Sequence, residues 1–219
     1  MRKQPAPRPL LPLLLCLLAS LLLAPLLTAQ DAGSKRDKWQ RPQEVMDALG
    51  IEPGSVVADV GSGSGYFTFH LAARVGPAGK VYAVDIDDGE LAKIRRRMKK
   101  DGLAQIKIIL GAKDDPGLPA ATLDVALIVN AYHEMRRYDA MLQALFRALK
   151  PGGRLGIIEG VAAPGEERKV YYRRHRMPEE LVREEATRNG FRFLRSEPGF
   201  LRPRGKKKFY FLIFEKPAL

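Results

Sequence analysis

Three glycines alternate with serine in Gly61-Ser62-Gly63-Ser64-Gly65, directly after the apolar run Val56-Val57-Ala58-Asp59-Val60 and ahead of a helix-forming segment that opens at Tyr66. Glycine has no Cβ, so it admits positive φ and lets a ligand lie against the main chain. A dinucleotide fingerprint requires glycine or alanine three residues after Gly63, where Tyr66 stands. No Gly-Lys-Ser or Gly-Lys-Thr closes the loop, which excludes a P-loop. Asp59 would repel a pyrophosphate but suits a ligand with a cationic amine, which points to an amino-acid-bearing nucleoside. A second apolar run, Val81-Tyr82-Ala83-Val84, ends in Asp85, where a carboxylate can grip a ribose diol with both oxygens. Alone, the loop reads equally as a tight turn and Asp85 as a helix cap. Their occurrence together singles out a site.

These residues need a scaffold, and the rest of the chain supplies one. Apolar runs of five or six residues alternate with segments of helical period, the pattern of an α/β fold with a doubly wound, mostly parallel sheet. Strands are expected near 55–60, 80–85, 106–110, 123–129, 154–159, 191–196 and 208–214. Tyr138, Met141, Leu142, Leu145 and Leu149 share one face at helical spacing, so the segment after the fourth strand packs on the sheet. Lys150-Pro151-Gly152-Gly153 reads as helix-stop chemistry. Ligands of such sheets lie outside the carboxyl ends of the strands, where Gly61, Asp85, Gly111 and Asn130 converge.

On these motifs the chain resembles the class I S-adenosylmethionine (SAM)-dependent methyltransferases. Their first motif is an acidic residue followed by Gly-x-Gly-x-Gly. Val81–Asp85 is similar to their second-strand motif, Leu123–Asn130 to the fourth-strand motif, and Leu149–Leu155 to the turn into the fifth strand. The resemblance spans roughly residues 40 to 160. It implies a Rossmann-like sheet of seven strands whose last, Phe209–Phe214, inserts antiparallel. It also implies SAM as cofactor, contacted by Asp59, Gly61, Ser62, Gly63, Gly65, Tyr66, Asp85, Ile86, Gly111, Ala112, Asp114 and Asn130. Ala112 departs from the family, which often carries an acidic residue there to bind the adenine amine; either Asp114 or backbone groups take that contact. Asp114 and Asp115 serve equally as turn-formers ahead of Pro116.

Methyl transfer is a direct displacement that needs placement more than acid-base work, and a base only for an acceptor that arrives protonated. His133, in Asn130-Ala131-Tyr132-His133-Glu134, occupies the family's acceptor-facing position and is the candidate catalytic base. It is equally suited to a solvent-exposed or capping role. Asn130 is not followed by Pro-Pro-Tyr or Pro-Pro-Phe, so methylation of an adenine N6 amine is disfavoured. Lys169-Val170-Tyr171-Tyr172-Arg173-Arg174-His175-Arg176 interleaves aromatics with cations in the connection that helps close the acceptor pocket in the family. Tyr132, Tyr172, His175 and Arg176 are therefore the candidate substrate contacts, able to grip an anionic small molecule, a lipid headgroup or a phosphate backbone.

The chain has 219 residues, 46% hydrophobic, enough for one buried core over residues 30–219. Residues 1–29 read as a signal peptide or membrane anchor. Arg2, Lys3 and Arg8 precede an uncharged leucine-rich run, Leu10 to Leu27, and Thr28-Ala29-Gln30 offers a cleavage site. Export to a periplasmic or secreted location is favoured. An uncleaved anchor with the domain facing the cytoplasm, where SAM is made, is the alternative, because Lys35, Arg36, Lys38 and Arg41 balance the basic charge ahead of the run. The sole cysteine, Cys16, follows a leucine, unlike a lipoprotein cysteine, and a chain cleaved near Gln30 has no disulfide and no thiolate metal site. His70, His133 and His175 are scattered in sequence, so no metal is expected.

The formal net charge is +12; beyond position 30, 34 Lys and Arg face 25 Asp and Glu, a net of +9. Basic clusters lie at Lys93 to Lys100, Arg168 to Arg176 and Arg202 to Lys208. The first reads as a solvated helix face behind Leu91, Ile94 and Met98. With no RNA-binding module in the chain, a small-molecule or lipid acceptor is favoured over nucleic acid. An RNA or protein methyltransferase using the basic patches is one alternative, a non-catalytic SAM-binding scaffold the other.

Overall fold

The computed structural model describes residues 35–201 and 208–218. In chain order the elements are α1 (Asp37–Gln40), α2 (Pro42–Leu49), β1 (Val56–Val60), α3 (Tyr66–Val75), β2 (Lys80–Asp85), α4 (Asp88–Asp101), β3 (Ile106–Leu110), β4 (Leu123–Val129), a 3-10 turn (Tyr132–Glu134), α5 (Tyr138–Ala148), β5 (Leu149–Gly160), α6 (Arg168–Arg174), α7 (Glu179–Arg188), β6 (Arg192–Pro198) and β7 (Phe209–Glu215). The strands form one sheet in the order β3-β2-β1-β4-β5-β7-β6. The pairings from β3 through β5 are parallel, and β7 runs antiparallel between β5 and β6. This is the doubly wound seven-stranded class I methyltransferase fold.

Successive side chains of a strand point to opposite faces, so apolar residues at both parities bury a strand on both sides. In β1, Val57 packs with Val45, Leu49, Leu71 and Leu91 of α2, α3 and α4, while Ala58 packs into the opposite layer with Met141, Leu142, Leu145 and Val182 of α5 and α7. In α4, Leu91 and Ile94 are buried and Met98 partly so, leaving Lys93, Arg95, Arg96, Arg97, Lys99 and Lys100 exposed as a solvated face.

The fifth strand begins earlier than the sequence implied. Leu149 leaves α5 with extended backbone (φ −72°, ψ 142°) and pairs with Leu123, so it opens β5 instead of closing the helix, although it stays buried. Lys150-Pro151-Gly152-Gly153 is then taken up as a bulge: the register passes from Leu123 opposite Leu149 to Val125 opposite Arg154. β6 and β7 each start one residue later than expected. Residues 1–29, read as a leader, and residues 202–207 of the third basic cluster lie outside the described residues. Among the described residues no helix is long and apolar enough to cross a membrane.

Candidate active site

β1 delivers its carboxyl end into a loop held by the neighbouring strand: Gly61 N and Ser62 N both donate to Val84 O, at 2.8 and 3.0 Å, and Gly63 N donates to Asp85 Oδ2 at 2.8 Å. Gly61, Gly63 and Gly65 have φ of 76°, 51° and 89°, in the left-handed region that favours glycine. The three differ in what a side chain would meet. A Cβ on Gly61 would fall 2.5 Å from the Cβ of Ala131, and one on Gly65 would press on Ile94 and Phe69 at 2.9 Å. A Cβ on Gly63 would meet nothing within 4 Å. Gly61 and Gly65 are thus packing glycines, and Gly63 leaves bare backbone beside open space.

That space is a cavity of about 570 Å³ lined by the loop, by Asp59 and Tyr66, by Val129 and Asn130 at the end of β4, and by Arg36, Trp39, Gln40, Leu201 and Phe209. Asp59 is buried and accepts a hydrogen bond from Thr68 Oγ1 at 2.6 Å. Burial pushes its carboxyl up to about 6, with the Asp85 charge adding to the rise while the Thr68 hydrogen bonds and Arg36 oppose it. The Ser62 hydroxyl is buried at the cavity wall without a hydrogen-bond partner. Tyr66 donates to Asp37 Oδ1 at 2.5 Å under the Arg36 guanidinium, 3.8 Å from the ring centroid; desolvation and the Asp37 carboxylate hold the phenol protonated. Burial in turn lowers the Arg36 guanidinium from its usual value.

Beside the loop, Asp85 accepts from Gly63 N and, through Oδ1, from Asp87 N at 2.9 Å, which fixes the carboxylate at the end of β2. Ile86, just past the end of β2, and Leu110, at the end of β3, are 58% and 57% exposed, two large apolar side chains presented at adjacent strand ends. Gly111 N donates to Asp85 O at 2.9 Å and Ala112 N to Asp115 O at 2.7 Å, while Asp114 is paired with Arg137 at 3.1 Å. These groups suit an adenosyl sulfonium with its amino-acid tail: Asp59 for the amine, the bare backbone at Gly63 and the unpartnered Ser62 hydroxyl for the tail, Asp85 for the diol, and Ile86 and Leu110 for the base. The sequence reading missed Arg36, Trp39, Gln40, Leu201 and Phe209. In the sequence Arg36 counts only as charge beyond residues 1–29, and Trp39, the lone tryptophan, is the available signal.

Beyond Asn130 the 3-10 turn carries Tyr132 and His133, and both depart from expectation. Tyr132, expected at the substrate, is fully buried and its hydroxyl donates to Glu185 Oε2 at 2.7 Å. Glu185 also pairs with Arg168, whose guanidinium lies over the Tyr138 ring at 3.7 Å. Tyr132 is therefore a brace between the turn and α7. Replacing Glu185 with Gln leaves Arg168 without its charge partner, and urea titration is expected to show a loss of about 1–3 kcal/mol. An unchanged midpoint would remove this brace from the account.

His133 is neither exposed nor a cap. Its side chain is buried, with Nδ1 3.0 and 3.1 Å from the two oxygens of the buried Glu159 and Nε2 3.0 Å from Nδ1 of His175. The view that the histidines are scattered is thereby corrected for this pair, which is 42 residues apart in sequence. The parallel bridge of Val161 to Met177 returns the connection over the carboxyl end of β5. His70 lies apart from them, 3.3 Å from Asp37. Tyr172 is 38% exposed with Arg136 over its ring at 5.3 Å, and Arg176 is half-buried.

Residues 57–153 match the family profile described as methyltransferase domain. The demethylmenaquinone methyltransferase of Geobacillus sp. (strain WCH70) is 30% identical over 122 residues, 56% of this chain and 51% of the relative. The ubiquinone/menaquinone biosynthesis C-methyltransferase UbiE of Pasteurella multocida is 31% identical over 122 residues, 55% of this chain and 45% of the relative. The chain thus spans about half the length of these curated relatives. A SAM-dependent methyltransferase from Aquifex aeolicus shares the fold with a TM-score of 0.71 at 23% identity, over 84% of this chain and 94% of that one. With the strand order and the glycine cradle already described, residues 57–153 are a class I methyltransferase domain, and SAM is its cofactor.

Proposed function

We propose that the chain transfers a methyl group from SAM to a small-molecule acceptor, and that this acceptor carries a quinone-type ring in its reduced, hydroxyl-bearing form. The observation that carries the first part is the open backbone at Gly63 set between the buried carboxylate of Asp59 and the fixed carboxylate of Asp85. When bound, SAM supplies an electrophilic sulfonium methyl that an acceptor lone pair can take. The chain's own residues have three tasks: Asp59 neutralises the amine, Asp85 and the Gly63 backbone fix the position, and Trp39, Leu201 and Phe209 keep water from the cavity. Placement of this kind contributes roughly 7–11 kcal/mol to a bimolecular reaction. The acceptor class is supported by the two relatives, whose names refer to demethylmenaquinone and to ubiquinone and menaquinone biosynthesis. The Tyr172 ring and exposed His175, next to the end of β5, offer such a molecule an entrance.

Incubation of the purified protein with methyl-labelled SAM and fractionated envelope extract tests the reading. Label is expected in the extractable small-molecule or lipid pool. Label confined to RNA or protein would reject the acceptor class, and no label above that of a Gly63→Val control would favour a SAM-binding scaffold.

A further inference from the structure

We propose that His133, Glu134 and His175 bind a divalent transition metal of the zinc type, and that its open position takes an ionisable hydroxyl of the acceptor. The second clause rests on the methyl-transfer reading; the first does not. The ligand atoms of the three residues all lie within 4.8 Å of one another: His133 Nε2 is 3.0 Å from His175 Nδ1 and 3.6 Å from Glu134 Oε1, and His175 Nδ1 is 4.0 Å from the same oxygen. Tetrahedral bonds of about 2.0–2.1 Å separate neighbouring donor atoms by about 3.3 Å, inside that range. The two imidazole planes are perpendicular, at 89°, with a nitrogen of each aimed at the other.

Three further features belong to a metal site more than to a pair of hydrogen-bonded rings. His133 Nδ1–H donates to the Glu159 carboxylate, which leaves Nε2 presenting its lone pair on the side of His175. A carboxylate behind a ligating imidazole is the usual outer partner of such a centre. Glu159 itself is 0% exposed, and its hydrogen-bond partners among the described residues are the His133 ring and the neutral backbone groups of His133 and Gly160. A buried carboxylate is costly unless a positive charge answers it, and a cation one imidazole away would do so. Lastly, His175 adopts the left-handed conformation (φ 50°, ψ 54°) at the end of α6, which turns it back toward His133.

Two imidazoles and one carboxylate make a three-ligand set of the catalytic kind, with a position left for a water or a substrate. His133 is buried, whereas the side chains of Glu134 and His175 are 58% and 60% exposed, so the open position faces the solvent side where an acceptor enters. A hydroxyl bound there loses its proton to bulk water and is held as the oxyanion by the metal, which acts as a Lewis acid. Under this assignment His133 supplies a ligand nitrogen and is not itself the base.

The experiment is a titration of the full chain, without a histidine tag, with Co²⁺ followed by visible absorption and with Zn²⁺ in competition. One equivalent of Co²⁺ is expected to give ligand-field bands that Zn²⁺ abolishes. His175→Ala, at an exposed position, is expected to weaken binding at least 100-fold, Glu159→Gln 10- to 100-fold, and His70→Ala not at all. SAM titrations of the same samples are expected to match wild type, which certifies that the variants are folded. No stoichiometric uptake by wild type, or equal uptake by His175→Ala, would overturn the site and leave a plain imidazole–imidazole hydrogen bond. Metal uptake without SAM uptake would keep the centre and reject only the methyl-transfer reading.

Discussion

Gly63→Ala is expected to reduce SAM affinity at least 100-fold, about 3 kcal/mol, with only a small loss of stability. The added methyl group meets no protein atom, so its cost in the folded state is the left-handed backbone at φ 51°, about 1–2 kcal/mol. It does occupy the backbone surface against which the ligand would lie. Gly61→Ala and Gly65→Ala are expected to behave in the opposite way. Their methyl groups collide with Ala131, or with Ile94 and Phe69, so strain and overpacking add and the loss appears in the urea midpoint before any ligand is present. Calorimetric titration alongside denaturation separates the two classes. Wild-type affinity in Gly63→Ala would move the cofactor out of this cradle.

Asp59→Asn is expected to stabilise the ligand-free protein above pH 6 and to weaken its binding of SAM. The carboxyl titrates at 3.8 in the unfolded chain and at about 6 in the fold, so the native state holds the proton more tightly. Folding stability therefore falls as pH rises from 3.8 toward 6, and above 6 the full deficit of about 3 kcal/mol is present. Asparagine is neutral and still accepts from Thr68, so the variant should gain up to that amount at pH 7.5 and nothing below pH 4. The charge that destabilises the empty site answers the ligand's ammonium group. SAM affinity of the wild type should accordingly decline below about pH 6, while that of Asp59→Asn stays low and flat. Urea midpoints at pH 4, 6 and 7.5 provide the test; parallel curves for the two proteins would remove Asp59 from this role.

The sheet was legible because strands buried on both faces have to be continuous apolar runs, and β2, β3 and β4 fall at the expected residues. Arg192–Pro198 was harder to bound: as an outer strand it has no fully buried position and shows two half-buried residues between exposed ones instead of a period of two, and the bulge at Phe193 shifts its pairing. Gly61, Gly63, Gly65 and Asp85 could be assigned to one site because a single strand-loop-helix-strand unit, β1 through α3 to β2, brings them together. His133 and His175 could not, since their meeting depends on the course of β5 and α6 between them. One sign was present: Glu159 is the lone carboxylate in Leu155-Gly156-Ile157-Ile158-Glu159-Gly160-Val161, a run otherwise apolar, and a charge there demands a partner. The basic stretch ending in Arg176 reads in the sequence as aromatics interleaved with cations, yet Arg168 turns inward to pair with Glu185 of α7 and the buried Tyr171 donates to Ala163 O, while Tyr172, Arg173 and Arg174 are exposed.

Placing β7 between β5 and β6 makes the order of synthesis matter. Until residues 209–215 leave the ribosome, Leu155–Gly160 has no neighbour on its outer side and β6 has no ladder at all. Nascent chains of this topology can assemble the β3-β2-β1-β4-β5 half first and then must wait, with an unpaired apolar edge exposed, for the final segment to slot in. Chaperone dependence during translation, relieved by supplying the 208–218 peptide in trans, is the result expected of such an assembly order.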